Sequence, residues 1–153
     1  MRIQPANSIA VALFALLVAT TAAYAAPLNS CELFNPQAAA TLFGSPLQPP
    51  MPVGTMCMYS NASGPVITLS VSPAPGSAGA DFVRVKMGAG PGDTTESIPR
   101  LGDQNLFDAR PNNWNVLTVF SHQKMLTFSV QKHLTPALKA TMIQAARQII
   151  AKI

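Results

Sequence analysis

The densest concentration of reactive side chains is a run of sulfur. Met51, Met56, Cys57 and Met58 place three thioethers and a thiol within eight residues. Soft sulfur donors select copper(I) over harder cations, so Met51, Met56 and Met58 are the candidate metal ligands of this chain. The competing expectation is packing: on a strand, Met56 and Met58 share one face and fill the core, where methionine suits irregular gaps. Met51 would then cover apolar surface from a proline-rich loop. Cys57 ligates as thiolate only if it is not in a disulfide. Packing is the preferred reading, and copper(I) handling the alternative.

Catalytic groupings are scarce. The two histidines, His122 and His133, belong to no zinc-ligand spacing and fall at a hairpin tip and before a helix, where solvated loop histidines are expected. Pro75-Gly76-Ser77-Ala78-Gly79 has part of a nucleophile-elbow pattern but lacks its first glycine, and Ser77 reads better as a helix cap. Glu32, Asp81, Asp93, Glu96, Asp103 and Asp108 include no pair at helical spacing on one face. Gly88 to Gly92 opens no helix directly, so it makes no phosphate cradle. No catalytic residue, resident metal or cofactor is assigned. A small hydrolase would need a pocket assembled from distant positions.

Cys31 and Cys57 are the only cysteines. They follow an N-terminal stretch with export grammar: Arg2, an apolar run Ile9–Val18 of about ten residues, then Ala23-Tyr24-Ala25. A spanning helix needs roughly 20 apolar residues, so residues 1–25 read as a cleaved signal peptide, leaving no transmembrane segment. An exported even pair implies a disulfide, and closing this loop stabilises the fold by ~3 kcal/mol on the chain-entropy account. The competing reading is a lipobox, Leu28-Asn29-Ser30-Cys31, which would anchor the chain through Cys31. Asn29 suits that site poorly, and lipidation would leave Cys57 an unpaired thiol.

The elements that position these groups follow in order. Asn35 caps a helix with Pro36 at its first position, and Gly44 ends it; the turn from Ser30 to Phe34 also reads as helical. Ser45 to Thr55, with four prolines, reads as a stiff surface connector. Met56 to Ser60 is a strand, and Pro65 to Ser72 another, alternating Ile67, Leu69 and Val71 with Thr68, Ser70 and Ser72. Ser77 to Met87 fits either a short helix lined by Phe82, Val85 and Met87 or a strand in which Val83, Val85 and Met87 alternate with Arg84 and Lys86. The helix is preferred because Ser77 and Asp81 suit an N-terminus, and a loop is expected over Gly88 to Glu96. Ile98 to Phe107 is a turn feeding a short strand. Trp114–Ser121 and Met125–Val130 form a hairpin, apolar on both sides and therefore central. Thr135 caps the last helix, with Leu138, Met142, Ala145, Ile149 and Ile153 facing the core and Lys139, Gln144, Arg147 and Lys152 facing water.

Together these make a single α+β domain over residues 26–153, an antiparallel sheet with N-terminal and C-terminal helices packed against it. The formal net charge of +4 comes from scattered Lys and Arg, and a single Trp interleaves with no basic stripe. That pattern argues against nucleic acid as a partner and reads as a solubility feature.

The outline resembles a group of small exported bacterial domains of unknown function, many of them periplasmic proteins or lipoproteins. The resemblance runs through Cys31 with Leu42-Phe43-Gly44, Cys57-Met58-Tyr59, Val71-Ser72-Pro73-Ala74, Gly102-Asp103 with Phe107, the Trp114–Val130 hairpin and the helix from Thr135. The group usually has a small residue shortly after Gly-Asp, where this chain has Gln104-Asn105. The resemblance implies a helix-covered antiparallel sheet and no established activity. The expectation is a periplasmic or secreted, non-enzymatic binding or accessory domain. It would offer the sheet face, or the loops Gly88–Glu96 and Arg110–Asn113, to a protein or a small apolar ligand.

Overall fold

Asparagine, proline and glycine punctuate the first elements as their chemistry requires. The computed structural model describes residues 28–74, 82, 85–86 and 88–153. Asn29 accepts a hydrogen bond from the Cys31 amide to open one helical turn, α1 (Ser30–Leu33). The Asn35 side chain accepts from the Gln37 amide at 2.7 Å, Pro36 leads α2 (Pro36–Phe43), and Gly44 ends it at φ 80°.

Among the described residues seven strands follow: β1 (Met51–Val53), β2 (Met56–Asn61), β3 (Gly64–Pro73), β4 (Thr94–Glu96), β5 (Gln104–Ala109), β6 (Trp114–Ser121) and β7 (Lys124–Gln131). The chain closes with α3 (Pro136–Ile150), capped by Thr135 Oγ1 accepting from the Leu138 amide. One sheet holds all seven strands in the order β1-β2-β3-β7-β6-β5-β4, and every neighbouring pair is antiparallel. It consists of two meanders, β1–β3 and β4–β7, whose last strands pair with each other. The β6–β7 hairpin thus puts β7 at the centre, as its two-sided apolar content predicts. The molecule is a mixed α+β domain dominated by its sheet.

Paired residues of an antiparallel sheet share a face, so the register assigns both faces. Cys57, Leu69, Phe128, Leu117 and Phe107 line up across five strands and are all fully buried. Against this row pack Leu33, Phe34, Ala39 and Leu42 from the N-terminal helices and Leu138, Met142, Ala145, Ala146 and Ile149 from α3. The opposite face carries Met58, Thr68, Ser129, Val116 and Asp108 in one row, and Met56, Ser70, Thr127, Thr118 and Leu106 in the next. Phe82 meets Phe120 edge-on at 6.4 Å between ring centroids on this side.

The fold departs from the sequence expectations at several places. Ser45–Thr55 is more than a connector, because Met51–Val53 pairs with β2. Proline cannot donate to a ladder, but a sheet edge tolerates it, and β1 is an edge. Thr94–Glu96 pairs with β5 at the other edge instead of staying loop. The β6–β7 turn is only two residues, His122 and Gln123, at φ 51° and 59°, and Lys124 already belongs to β7. Helix α3 stops at Ile150, although Ile153 still packs against the core. The expected helix over 77–87 falls largely outside the described residues; Phe82, Val85 and Lys86 within it are helical. Residues 1–25 and the Ser77 cap also lie outside them.

Several lysines also do more than face water. Lys132 Nζ donates to the Phe43 carbonyl at 2.6 Å, and Lys152 Nζ to the Leu33 carbonyl at 3.0 Å. These are the last residues of α2 and α1, where orphan carbonyls and the helix dipole favour a cation. Lys124 Nζ reaches the Ile153 carbonyl at 2.7 Å, and Lys139 pairs with Glu96 above the Phe107 ring.

Candidate functional site

The cysteine pair fixes the geometry of the sulfur-rich segment. Cys31 in α1 and Cys57 in β2 are disulfide-bonded, with Cα atoms 5.0 Å apart. The bond joins the first helical turn to the second strand, one strand later than the sequence suggests, because β1 is hidden among prolines. It commits both sulfurs, leaving no thiol at Cys31 for a lipid thioether and none at Cys57 for a metal. Ser30 beside it donates to the Thr55 carbonyl and accepts from the Val71 amide at 3.3 Å.

Because Cys57 faces the helices, strand alternation turns its neighbours the other way. Cys57 and Tyr59 are fully buried among the helices, whereas Met56 and Met58 are only partly buried, on the opposite face. This overturns the expectation that the two methionines fill the core; the core positions of β2 belong to Cys57 and Tyr59. Met51 pairs directly with Met58 and Val53 with Met56. Met51, Met56 and Met58 therefore share one face at the sheet edge, where Met51 is 51% and Val53 44% exposed. The sequence contained the clue: a cysteine bonded to a helix beneath the sheet sets the phase of its strand.

A second feature is the hook before β5, at the turn where the resemblance departs from its pattern. Asn105 Oδ1 accepts from the Ile98 amide at 2.6 Å, and its Nδ2 donates to the Ile98 and Leu101 carbonyls at 2.8 and 2.7 Å. Those bonds hold Arg100 and Gly102 in left-handed conformation, φ 59° and 64°. A Cβ on Gly102 would lie 2.5 Å from Val119 Cγ1 and 2.6 Å from the Phe120 carbonyl oxygen, so only glycine fits. Above the hook lies a cleft of about 400 Å³ lined by Phe82, Arg100, Asp103, Gln104 and neighbours. The buried Gln104 Oε1 finds no hydrogen-bond partner there among the described residues. A groove of similar volume separates α2 from α3, lined by Phe34, Gln37, Thr41, Thr141, Gln144 and Gln148.

Among the described residues, the polar groups singled out from sequence do not converge. His122 and His133 are both exposed. Ser121 Oγ lies 3.4 Å from His122 Nδ1 at the hairpin tip, a long contact between chain neighbours, with no carboxylate bonded to that ring among the described residues. The acids serve local structure. Glu32 accepts from Asn29, Asp93 from the Gly90 amide at 2.6 Å, Glu96 from Lys139, and Asp108 from Arg110 Nε at 2.9 Å. No cluster of three or more His, Cys, Asp or Glu side chains suited to a metal occurs among the described residues. The loops at 88–96 and 110–113 do come together: a Cβ on Gly92 would sit 3.3 Å from Pro111 Cγ, and Thr94 pairs with Ala109.

No protein-family model matches the chain, and no curated protein matches it. No helix among the described residues is long and apolar enough to cross a membrane.

Proposed function

We propose that this chain is an exported, non-enzymatic binding or accessory domain, periplasmic or secreted, of the same kind as the small bacterial domains it resembles. The Cys31–Cys57 disulfide is the observation that carries the reading, because such bonds persist in oxidising compartments and are rare where glutathione keeps thiols reduced. The export grammar of residues 1–25 agrees with it. Its binding surface is the exposed β1–β2 edge of the sheet face turned away from the helices, or the loops at 88–96 and 110–113, which suit a protein or a small apolar ligand. The exposed Met51 and Val53 supply apolar area on that side.

The test is the intact mass of the protein recovered from an exporting host, with and without reductive alkylation. A chain beginning at Ala26, two hydrogens light and alkylated only after reduction, is expected. A chain retaining residues 1–25, or one lipidated at Cys31 with Cys57 free, overturns the reading.

A further inference from the structure

We propose that Met51, Met56 and Met58 form a thioether site for a soft monovalent cation, copper(I) or silver(I), at the β1–β2 edge of the sheet. The proposal goes beyond a general binding role and does not rest on export, since it concerns only the folded chain.

Geometry carries it. Met51 and Met58 are directly paired across β1 and β2, which places their Cβ atoms about 5 Å apart. Met56 lies two residues before Met58 on the same strand face, about 7 Å along it. Three flexible thioethers therefore stand on one patch, each with a side chain long enough to turn toward a common centre. The helix-covered core does not account for them, because Cys57 and Tyr59 occupy its positions on this strand, Met56 and Met58 stay outside it on the other face, and Met51 is exposed. The remaining neighbours are Val53, Thr68 and Ser70, paired with Met56, Met58 and Met56 in turn. That surrounding row has no carboxylate and no imidazole, so it offers nothing to calcium, magnesium or zinc. Thioethers alone select the soft cation.

The backbone beneath the patch is held before any metal arrives. Pro50 and Pro52 flank Met51 and fix their own φ angles. Gly54, at φ 59°, opens the two-residue turn to β2, and the disulfide fastens the other face of Cys57 to α1. A preorganised backbone lowers the entropy lost when ligands are gathered.

The test uses protein labelled with ¹³C at methionine methyls, titrated with silver nitrate and then anaerobically with copper(I) against a chromophoric chelator. One equivalent of silver should move the methyl signals of Met51, Met56 and Met58 and leave Met125 and the buried Met142 in place. Zinc should move none of them. Met51→Leu, a change at an exposed position, should weaken copper(I) binding at least tenfold. The triple change to leucine should abolish the one-equivalent complex. Silver shifts spread equally to Met125, no shift at one equivalent, or unchanged affinity in Met51→Leu would each overturn the site.

Discussion

Tyr59 shows how much of this fold depends on single polar atoms inside an apolar core. Its ring is fully buried against Phe34, and its hydroxyl donates to the Phe34 carbonyl. Burial disfavours the phenolate and pushes its pKa from 10.0 up to about 12. A folded-state pKa above the unfolded value gives stability that is complete below pH 10 and lost as pH rises through about 12. Denaturant midpoints should therefore fall between those two pH values. Tyr59→Phe should flatten that part of the profile while costing about 1 kcal/mol at neutral pH for the lost hydrogen bond. The only other tyrosine is Tyr24, so absorbance at 295 nm reads Tyr59 alone in a chain beginning at Ala26. A titration midpoint near 10 would contradict the buried phenol. Asn105 is the second such residue. Asn105→Ala strips partners from the Ile98 amide and from the Ile98 and Leu101 carbonyls, and should cost about 3 kcal/mol. Urea unfolding at unchanged m-value measures it; a loss below about 1 kcal/mol would mean that water replaces the side chain.

At the scale of elements, the lysine ties explain how two short helices stay closed. An eight-residue helix is marginal alone, and α2 is fastened at its end by Lys132, which also lies 5.6 Å from the Phe43 ring. Lys132→Met keeps the apolar stem and removes the donor. It should cost about 1 kcal/mol and speed amide exchange in the α2 turn ending at Phe43, with α3 unaffected; equal exchange in both proteins would show the tie to be incidental. These ties are illegible in a sequence, since Lys132 and Phe43 are brought together only by the completed sheet. The helix boundaries were legible, because Asn35, Pro36, Gly44, Thr135 and Pro136 act through local backbone chemistry. Strands β2, β3, β6 and β7 were legible from their apolar runs. Strand β1 was not, because three residues around Pro52 carry no periodicity and become a strand only by lying beside β2. The methionine face failed for a related reason. Met56-Cys57-Met58-Tyr59 is apolar at every position, so alternation leaves its phase open until the partner of Cys57 sets it.

The sheet is two meanders joined along β3 and β7, and the disulfide ties helix α1 to the first of them. Cys31 and Cys57 close a loop with a sequence separation of 26, so their bond constrains the unfolded chain by about 3 kcal/mol. Reduction acts there whatever the folded state does, and the denaturant midpoint should drop accordingly. The native-state effect differs. Strand β1 is short and at an edge, and α1 is one turn that the disulfide cross-links directly to β2. By contrast, β6, β7 and α3 are long, buried and free of any cysteine. In the reduced protein, amide exchange should accelerate most in β2 and α1 and least in β7, with openings of the first meander preceding global unfolding. Uniform acceleration would mean that the sheet opens as one unit and that the bond works only on the unfolded chain. The same reduced sample bears on the methionine site. If the first meander frays when the bond is cut, Met51 and Met58 lose their common platform, and silver affinity should fall although neither cysteine is a ligand. Affinity that rises on reduction would instead mean that the freed thiols bind silver.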